Sequence, residues 1–421
     1  MGGTPVTRLL GSFSLAALLL LSSCGGGGGG GGGSSLPSSS FTPPGTVSIP
    51  SIKSNDIAVD SSNNVWIVVS DGVLKIPYGT TSCPSLTACP IISVGFTPAG
   101  IAADKYGNIW VTDDSTSNPS VTEIPKNASS CSSSCTTFSG SGFSSPVGIA
   151  ADGSGDIWVT DDSTSNPSVT EIPKNASSCS SSCTTFGSGY FSSPVGIAAD
   201  GSGSTSTIWV TDDSASTPSV TEITASAISN QTCASTTTCT TFSSSTYFSS
   251  PVGIVADGSG NIWVTNDISS GSVTKITSGT TTCSSTSCPT YKGFSNPVAV
   301  AVATAAGGDP WVANSGQGSA YSPGVVAMTS SCTSSGGGCP EITGFTQPVG
   351  LAFDSSSNLW VIDAGTSKAV EITASAISAE SCQNDPCYQY SLPSVPLGIA
   401  TDTLGNVWIT LKNGEIVKYT P

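Results

Sequence analysis

Side chains able to hold a hard cation recur at one fixed offset in this chain. Three residues beyond six of its tryptophans stand Asp113, Asp161, Asp212, Asn266, Asn314 and Asp363, whereas the matching positions after the first and last tryptophans are Val69 and Leu411. Carboxylate and amide oxygens in such a series are the ligand chemistry of Ca²⁺ or, with fewer protein ligands, Mg²⁺. The six are therefore expected as ligands of a divalent cation (Ca or Mg), set against the plainer expectation that Asp and Asn start turns there. A second series, Asp60, Asp104, Asp152, Asp200, Asp257, Asp354 and Asp402, precedes polar turns and reads as turn caps. Glu123, Glu171, Glu222 and Glu371 occupy places where other repeats carry Lys75, Lys275 and Lys418, and read as solvated or cross-strand charges. No pair of carboxylates stands out for glycoside hydrolysis.

What the chain lacks narrows its chemistry further. It contains no histidine among 421 residues. This removes the commonest general base, the commonest transition-metal ligand and every Ser-His or Cys-His nucleophile arrangement. Only 9% of residues are charged and the formal net charge is -16. An acidic surface excludes nucleic acid as a partner, because phosphate binding needs clustered Lys and Arg. It leaves divalent cations and basic partners open.

The elements that must position these residues follow from a repeat. The eight tryptophans, Trp66, Trp110, Trp158, Trp209, Trp263, Trp311, Trp360 and Trp408, lie 44 to 54 residues apart, each inside a phrase such as PVGIAADGSGDIWVT at residues 146–160. That period, with strand patterning inside each unit, predicts propeller blades. In the third repeat a first strand at 148–152 meets a Gly-rich turn. A second strand follows around Ile157-Trp158-Val159, a third over 168–172, and a short fourth over 184–186. The oxygen-bearing positions then fall where each second strand enters its loop, forming a ring on one face. The expected fold is an all-β propeller of eight four-stranded antiparallel blades. The last repeat lacks a fourth strand, and the orphan stretch at 45–49 is expected to complete it and close the ring, leaving no open edge. Seven blades would follow only if the divergent sixth copy, 299–314, were an insertion. Residues 110–138 and 158–186 are identical letter for letter, which favours a repetitive surface over a catalytic site made of unlike residues. Loops between second and third strands are long in blades two to four and tight at Asp71-Gly72 and Asn413-Gly414. One rim is therefore tall over six blades and low across the seam.

Fourteen cysteines form seven local pairs, one between each successive pair of tryptophans. The pairs are Cys83 with Cys89, Cys131 with Cys135, Cys179 with Cys183, Cys233 with Cys239, Cys283 with Cys288, Cys332 with Cys339, and Cys382 with Cys387. In an oxidising compartment each reads as a disulfide closing a small loop. Zinc would require two pairs to meet, and the spacing drifts between repeats.

The fifteenth cysteine, Cys24, ends an apparent address: Arg8, an apolar run over 9–21, then Leu21-Ser22-Ser23-Cys24. The run is too short to span a bilayer as a helix. It resembles the lipobox of bacterial lipoproteins, which implies a signal peptide at 1–23, cleavage before Cys24 and lipidation of Cys24. Residues 24–44 carry an unbroken glycine run after Cys24 and continue rich in Ser and Pro, the composition of a flexible tether. The propeller is expected over 45–421. The repeated phrase resembles the NHL repeat and is most similar to the streptogramin B lyase type of propeller. That resemblance implies metal-dependent elimination by His and Glu near the centre of one face, and related lactonase propellers imply a divalent metal held by Glu, Asn and Asp in the channel. No position here can take the His roles. The reading is a monomeric envelope lipoprotein, on the outer membrane or cell surface, that binds an unknown protein or glycan without catalysis. The alternative is a metal-assisted lyase or lactonase.

Overall fold

The computed structural model describes the backbone at 34–35, 40–41 and 46–47 and then residues 56–420, apart from 71, 81–82, 84–87, 141, 181, 188, 201–206, 234–237, 304–307 and 383–386. The signal segment, Cys24 and its glycine run lie outside the described residues.

Each repeat folds as a four-stranded antiparallel sheet, and eight such sheets form the ring. In the third blade the strands are Pro146–Ala151, Ile157–Asp161, Ser168–Ile172 and Thr184–Phe186, ordered from the inside outward. Inner strands pack side by side around the ring, and Pro396–Thr401 of the last blade packs against Ile57–Val59 of the first. The expected closure holds. Thr46–Val47 pairs antiparallel with Ile416–Tyr419 and supplies the outer strand of the eighth blade. The sixth copy is a full blade, built from Pro297–Val302, Pro310–Asn314, Gly324–Ala327 and Glu341–Thr343. Eight blades, rather than seven, is the count.

The tryptophans cement blade to blade. Eight separate apolar clusters fill the eight interfaces, and each holds one tryptophan of one blade against the second and third strands of the next. Trp158, fully buried, packs on Ile208, Val210 and Ile223 of the fourth blade. Its ring lies 5.9 Å from that of Phe186 on its own outer strand. A second strand buried on both faces explains the unbroken Ile-Trp-Val run.

Two positions in the phrase answer to backbone needs. Pro146 opens the inner strand, where a missing N–H breaks no ladder bond. At Gly148 the strand bulges and approaches the next blade so closely that a Cβ would stand 2.4 Å from the Val195 carbonyl oxygen. Thr160 seals the same point, its hydroxyl accepting from Gly148 N–H at 2.9 Å and donating to the Val195 carbonyl at 3.0 Å.

All seven expected disulfides are formed, with Cα atoms 4.3 to 5.5 Å apart: Cys83 bonds Cys89, Cys131 bonds Cys135, Cys179 bonds Cys183, Cys233 bonds Cys239, Cys283 bonds Cys288, Cys332 bonds Cys339, and Cys382 bonds Cys387. They do more than close small loops. Cys89, Cys239, Cys288, Cys339 and Cys387 are buried in the interblade clusters, and the half-buried Cys135 and Cys183 pack against two others. Each cystine therefore covers one end of an interface. Pair spacing reveals the bond but not this cover, which depends on the neighbouring blade.

Three features go beyond the sequence. Ser34–Ser35 runs parallel to Glu341–Thr343 on the outer edge of the sixth blade, and Ser40–Phe41 runs parallel to the outer strand Cys387–Ser391 of the seventh. Backbone pairing of this kind needs no particular side chain, so composition does not reveal it. Two short helices, Ala225–Asn230 and Ala374–Ser378, lie between third and outer strands. Both come from the repeated phrase TASAIS, with Thr224 and Thr373 as N-caps accepting from Ala227 and Ala376 N–H. The second strand of the third blade reaches Asp161, two residues beyond the apolar run.

Alternating strands give the disc two distinct faces. First turns and the cystine loops open on one, here called the cystine face. Loops between second and third strands, and the crossovers to the next blade, open on the other, the loop face.

Candidate functional site

The six oxygen-bearing residues at the loop face are buried, and their oxygens face N–H donors rather than one another. Asp161 is representative. Its carboxylate accepts from Ser144 and Ser145 N–H, on the crossover from the second blade, and from Ser163 N–H, in its own loop, at 3.2 Å. Asp212 does the same with Ser192, Ser193 and Ser214. Asp363 accepts from Thr346, Gln347 and Gly365 N–H and from the Thr366 hydroxyl. Asn266 accepts from Ser249 N–H and donates to the Tyr247 carbonyl and to Ser272 and Thr274 hydroxyls. Asn314 accepts from Ser295 N–H and donates to the carbonyls of Gly316, Tyr321 and Ser322. Asp113 accepts from Ser115 N–H.

Each residue is thus a brace within its loop, most of them tied also to an incoming crossover. Among the described residues no three His, Cys, Asp or Glu side chains converge as a metal site. Burial pushes the Asp161 and Asp212 carboxyls up, against the pull of those N–H donors.

The cystine face holds a second carboxylate series with a different job. Asp354 Oδ1 accepts from Ser356 and Asn358 N–H, both at 2.9 Å, and Oδ2 accepts from Asn358 Nδ2 at 2.9 Å and Trp360 Nε1 at 3.0 Å. The indole bond recurs at Asp60–Trp66, Asp104–Trp110, Asp152–Trp158, Asp257–Trp263 and Asp402–Trp408. The turn-cap expectation therefore holds but was incomplete: the same carboxylate ties the turn to the interblade tryptophan. A constant spacing of six residues from Asp to Trp carried the signal. Where the turn is longer, between Asp200 and Trp209, the indole N–H is buried without a partner among the described residues.

Opposite each of several tryptophans on the third strand stands the Lys or Glu series, as in Trp158 against Glu171 and Trp66 against Lys75. The lysines lie over the indoles, with Lys75, Lys275 and Lys418 Nζ at 4.8, 5.1 and 4.9 Å from the ring centroids. Of the glutamates, Glu171 departs from expectation and is drawn out of water, whereas Glu123, Glu222 and Glu371 are half-buried; all four stand beside like charges. Glu171 is only 7% exposed beside Asp156 and Asp152, and burial followed by those two charges pushes its carboxyl up to about 7. Glu123, Glu222 and Glu371 move in the same direction by burial and by their neighbours Asp104, Asp200 and Asp354. Glu371 also accepts from the Tyr390 hydroxyl at 2.8 Å. Asp152 and Asp257 differ in burial and in one neighbour. Burial raises both, yet donors from Trp263 and Asn261 more than offset it at Asp257, whereas Asp156 stands where that Asn would be and Asp152 stays high.

At the outer rim between the third and fourth blades lies an open cavity of about 370 Å³, bordered by Tyr190, Phe191, Ser192, Thr217, Ser219 and Thr241. Its lining of hydroxyls beside aromatic rings lies at the base of the long loops that the sequence singled out.

No family model matches this sequence, and no curated protein is similar to it in sequence. Similarity to solved structures is at the level of fold. A Dos1 propeller aligns with a TM-score of 0.63 at 10% identity over 90% of this chain and 94% of that one. A streptogramin B lyase aligns at 0.51 and 17% identity over 89% and 95%. The WD40 propeller domain of Doa1 aligns at 0.53 and 9% identity over 90% and 96%. Propellers of such varied roles share an architecture and not a site.

Proposed function

We propose that this chain is an envelope-anchored bacterial lipoprotein, held by lipid on Cys24 at the outer membrane or cell surface, whose propeller is a non-catalytic binding or scaffold module. Its partner is a protein or glycan met by the loop face. One observation carries the reading: the six oxygen-bearing side chains that follow the tryptophans are buried and hydrogen-bonded into their own loops. What remains outward is loop backbone, hydroxyls and charges such as Asp114 and Lys412, a surface that can recognise and in which, among the described residues, no three His, Cys, Asp or Glu side chains converge. The hydroxyl-lined cavity beside Tyr190 and Phe191 supports a hydroxylated or peptide partner. The neighbours include both a lyase and a WD40 domain, so fold alone chooses neither.

Affinity capture from the native cell envelope with the full chain tests this. Shortening the loops 114–118, 162–166 and 213–217 should abolish capture while the circular dichroism of the sheet persists. Undiminished capture, or turnover of a lactone or cyclic depsipeptide in the presence of Ca²⁺ or Mg²⁺, would overturn it.

A further inference from the structure

The open cavity of about 370 Å³ between the third and fourth blades owes its existence to one crossover. The crossovers into the third and fourth blades have equal length, SGSGFSS at 139–145 and GSGYFSS at 187–193, and each follows Thr-Thr-Phe and precedes PVGIAAD. Each faces a pair of threonines on the blade it enters, Thr170 with Thr185 in the third and Thr221 with Thr241 in the fourth, their hydroxyls 3.1 Å apart in both. In the third blade the crossover lies on that pair. Thr170 donates to the Gly142 carbonyl at 3.2 Å, and a Cβ at Gly142 would stand 2.8 Å from Thr185 Oγ1. Thr274 of the fifth blade likewise donates to the Tyr247 carbonyl at 2.5 Å.

The fourth blade lacks this cover. Tyr190 stands where the other crossover has Gly142, and its side chain reaches across instead, the hydroxyl donating to the Cys233 carbonyl. Among the described residues the Thr221 and Thr241 hydroxyls bond only each other. Thr241 and Ser243 of the outer strand, Ser219 of the third strand, Thr217 of the loop before it, and Tyr190 and Ser192 of the crossover border the space left between the blades. The buried Phe191 and Cys239 border it too.

The lining selects by chemistry. Among the described residues no Lys or Arg borders the cavity, so nothing there pairs with an anionic ligand. Its one carboxylate, Asp212, already accepts from Ser192, Ser193 and Ser214 N–H. A carboxylate has about four lone-pair sites, so one remains for a hydroxyl. The other polar side chains are hydroxyls, donors and acceptors at once, and Tyr190 and Phe191 add aromatic surface suited to C–H groups. Cys239, Thr241 and Ser243 are alternate residues of one strand, so the cavity meets that strand's face and not its edge. An extended peptide would find no backbone ladder there. The volume is at the small end of ligand pockets, about 300–1,000 Å³, and suits a sugar unit rather than a folded partner.

We infer that this cavity binds a neutral sugar residue, so that the partner of the loop face is a glycan; this rests on the binding-module reading and narrows it. The test titrates the full chain calorimetrically with uncharged gluco-, galacto- and manno-configured trisaccharides and with the trisaccharide of N-acetylglucosamine. At least one should bind. Exchanging GSGY at 187–190 for the SGSG of 139–142 should let the crossover settle on Thr221 and Thr241 and abolish that binding, with the circular dichroism of the sheet unchanged. Ser243→Ala, which removes one exposed lining hydroxyl, should weaken it about three- to tenfold. No trisaccharide bound, binding that survives both changes, or binding only of dextran sulfate or of an unglycosylated peptide would sink the sugar site. The two readings fail separately. An envelope partner that the native chain captures and that none of the saccharides displaces defeats the sugar site alone. Absence of both capture and saccharide binding defeats the binding module itself.

Discussion

The two faces of the disc use the same residue type for different ends. On the cystine face a carboxylate such as Asp354 binds four donors, one of them an indole from the interblade core. Across that series the neighbouring group is a like charge, as Glu371 is for Asp354, or a lysine over the same indole, as Lys75 is over Trp66. On the loop face Asp161 binds only backbone N–H groups from two loops. The first arrangement holds the ring together, and the second holds the surface in shape. This difference explains why six of the eight blades keep an Asp six residues before the Trp, whereas the loop face tolerates Asp, Asn, Val69 and Leu411. The part of the molecule free to vary is the part proposed to meet a partner.

The largest effect should come from the residue that links the cystine face to the core. Trp158 is fully buried, fills one interface and donates to Asp152 Oδ2 at 3.2 Å. Replacing a buried Trp by Ala costs about 3–5 kcal/mol through lost contacts and a residual cavity. Trp158→Ala should lower the urea midpoint of the whole propeller and loosen the third and fourth blades together. Loss confined to the third blade would show that the interfaces are not shared as described.

Much of this was legible in the sequence, and the misreadings have one cause. The Trp period, the turn Asp series and the local cysteine pairs are all short-range patterns, and they predicted blades, turns and disulfides. The role of Asp161 depends on Ser144 and Ser145, seventeen and sixteen residues away on the crossover from another blade. An Asp at a loop start looks the same whether it faces a cation or such N–H donors. Likewise Glu171 alternates along its strand like a solvated residue, and only its position beside Asp152 and Asp156, under the interface with the next blade, buries it. The cover that Cys89 or Cys339 gives an interface is hidden from the sequence for the same reason.

A pair of conservative changes separates the faces directly. Asp354→Asn puts an NH₂ group against donors on whichever side it is turned, leaving a buried donor unsatisfied at about 1–3 kcal/mol. Asp161→Asn sets its NH₂ against Ser163 N–H alone, a single bond at 3.2 Å, and should cost about 1 kcal/mol, the low end of that range: Asn266 and Asn314 already serve as braces, with the amide NH₂ finding hydroxyls or carbonyls. Ser168 and Thr170 hydroxyls stand in the third blade where Ser272 and Thr274 receive the Asn266 amide. Urea unfolding of both variants at unchanged slope gives the difference, and an equal loss would erase the distinction between the faces.

The smallest effect is in pH dependence, and it again belongs to the cystine face. The Glu171 carboxyl titrates at about 7 in the folded chain, above its ordinary 4.5. The fold therefore binds that proton more tightly than the unfolded chain does. Its contribution to stability is complete below about pH 4.5 and is lost as pH rises through about 7. Glu123, Glu222 and Glu371 are displaced the same way. The melting temperature should accordingly rise as pH falls from about 8 to about 5. Glu171→Gln, which keeps the shape and removes the titration, should flatten part of that slope and raise the midpoint most at the alkaline end. On the loop face the Asp161 carboxyl is also raised, but three N–H donors favour its charged form, so Asp161→Asn should alter the slope less than Glu171→Gln. A native midpoint that falls on acidification through that range, or a Glu171→Gln slope unchanged from the native one, would remove the like-charge cluster from this account.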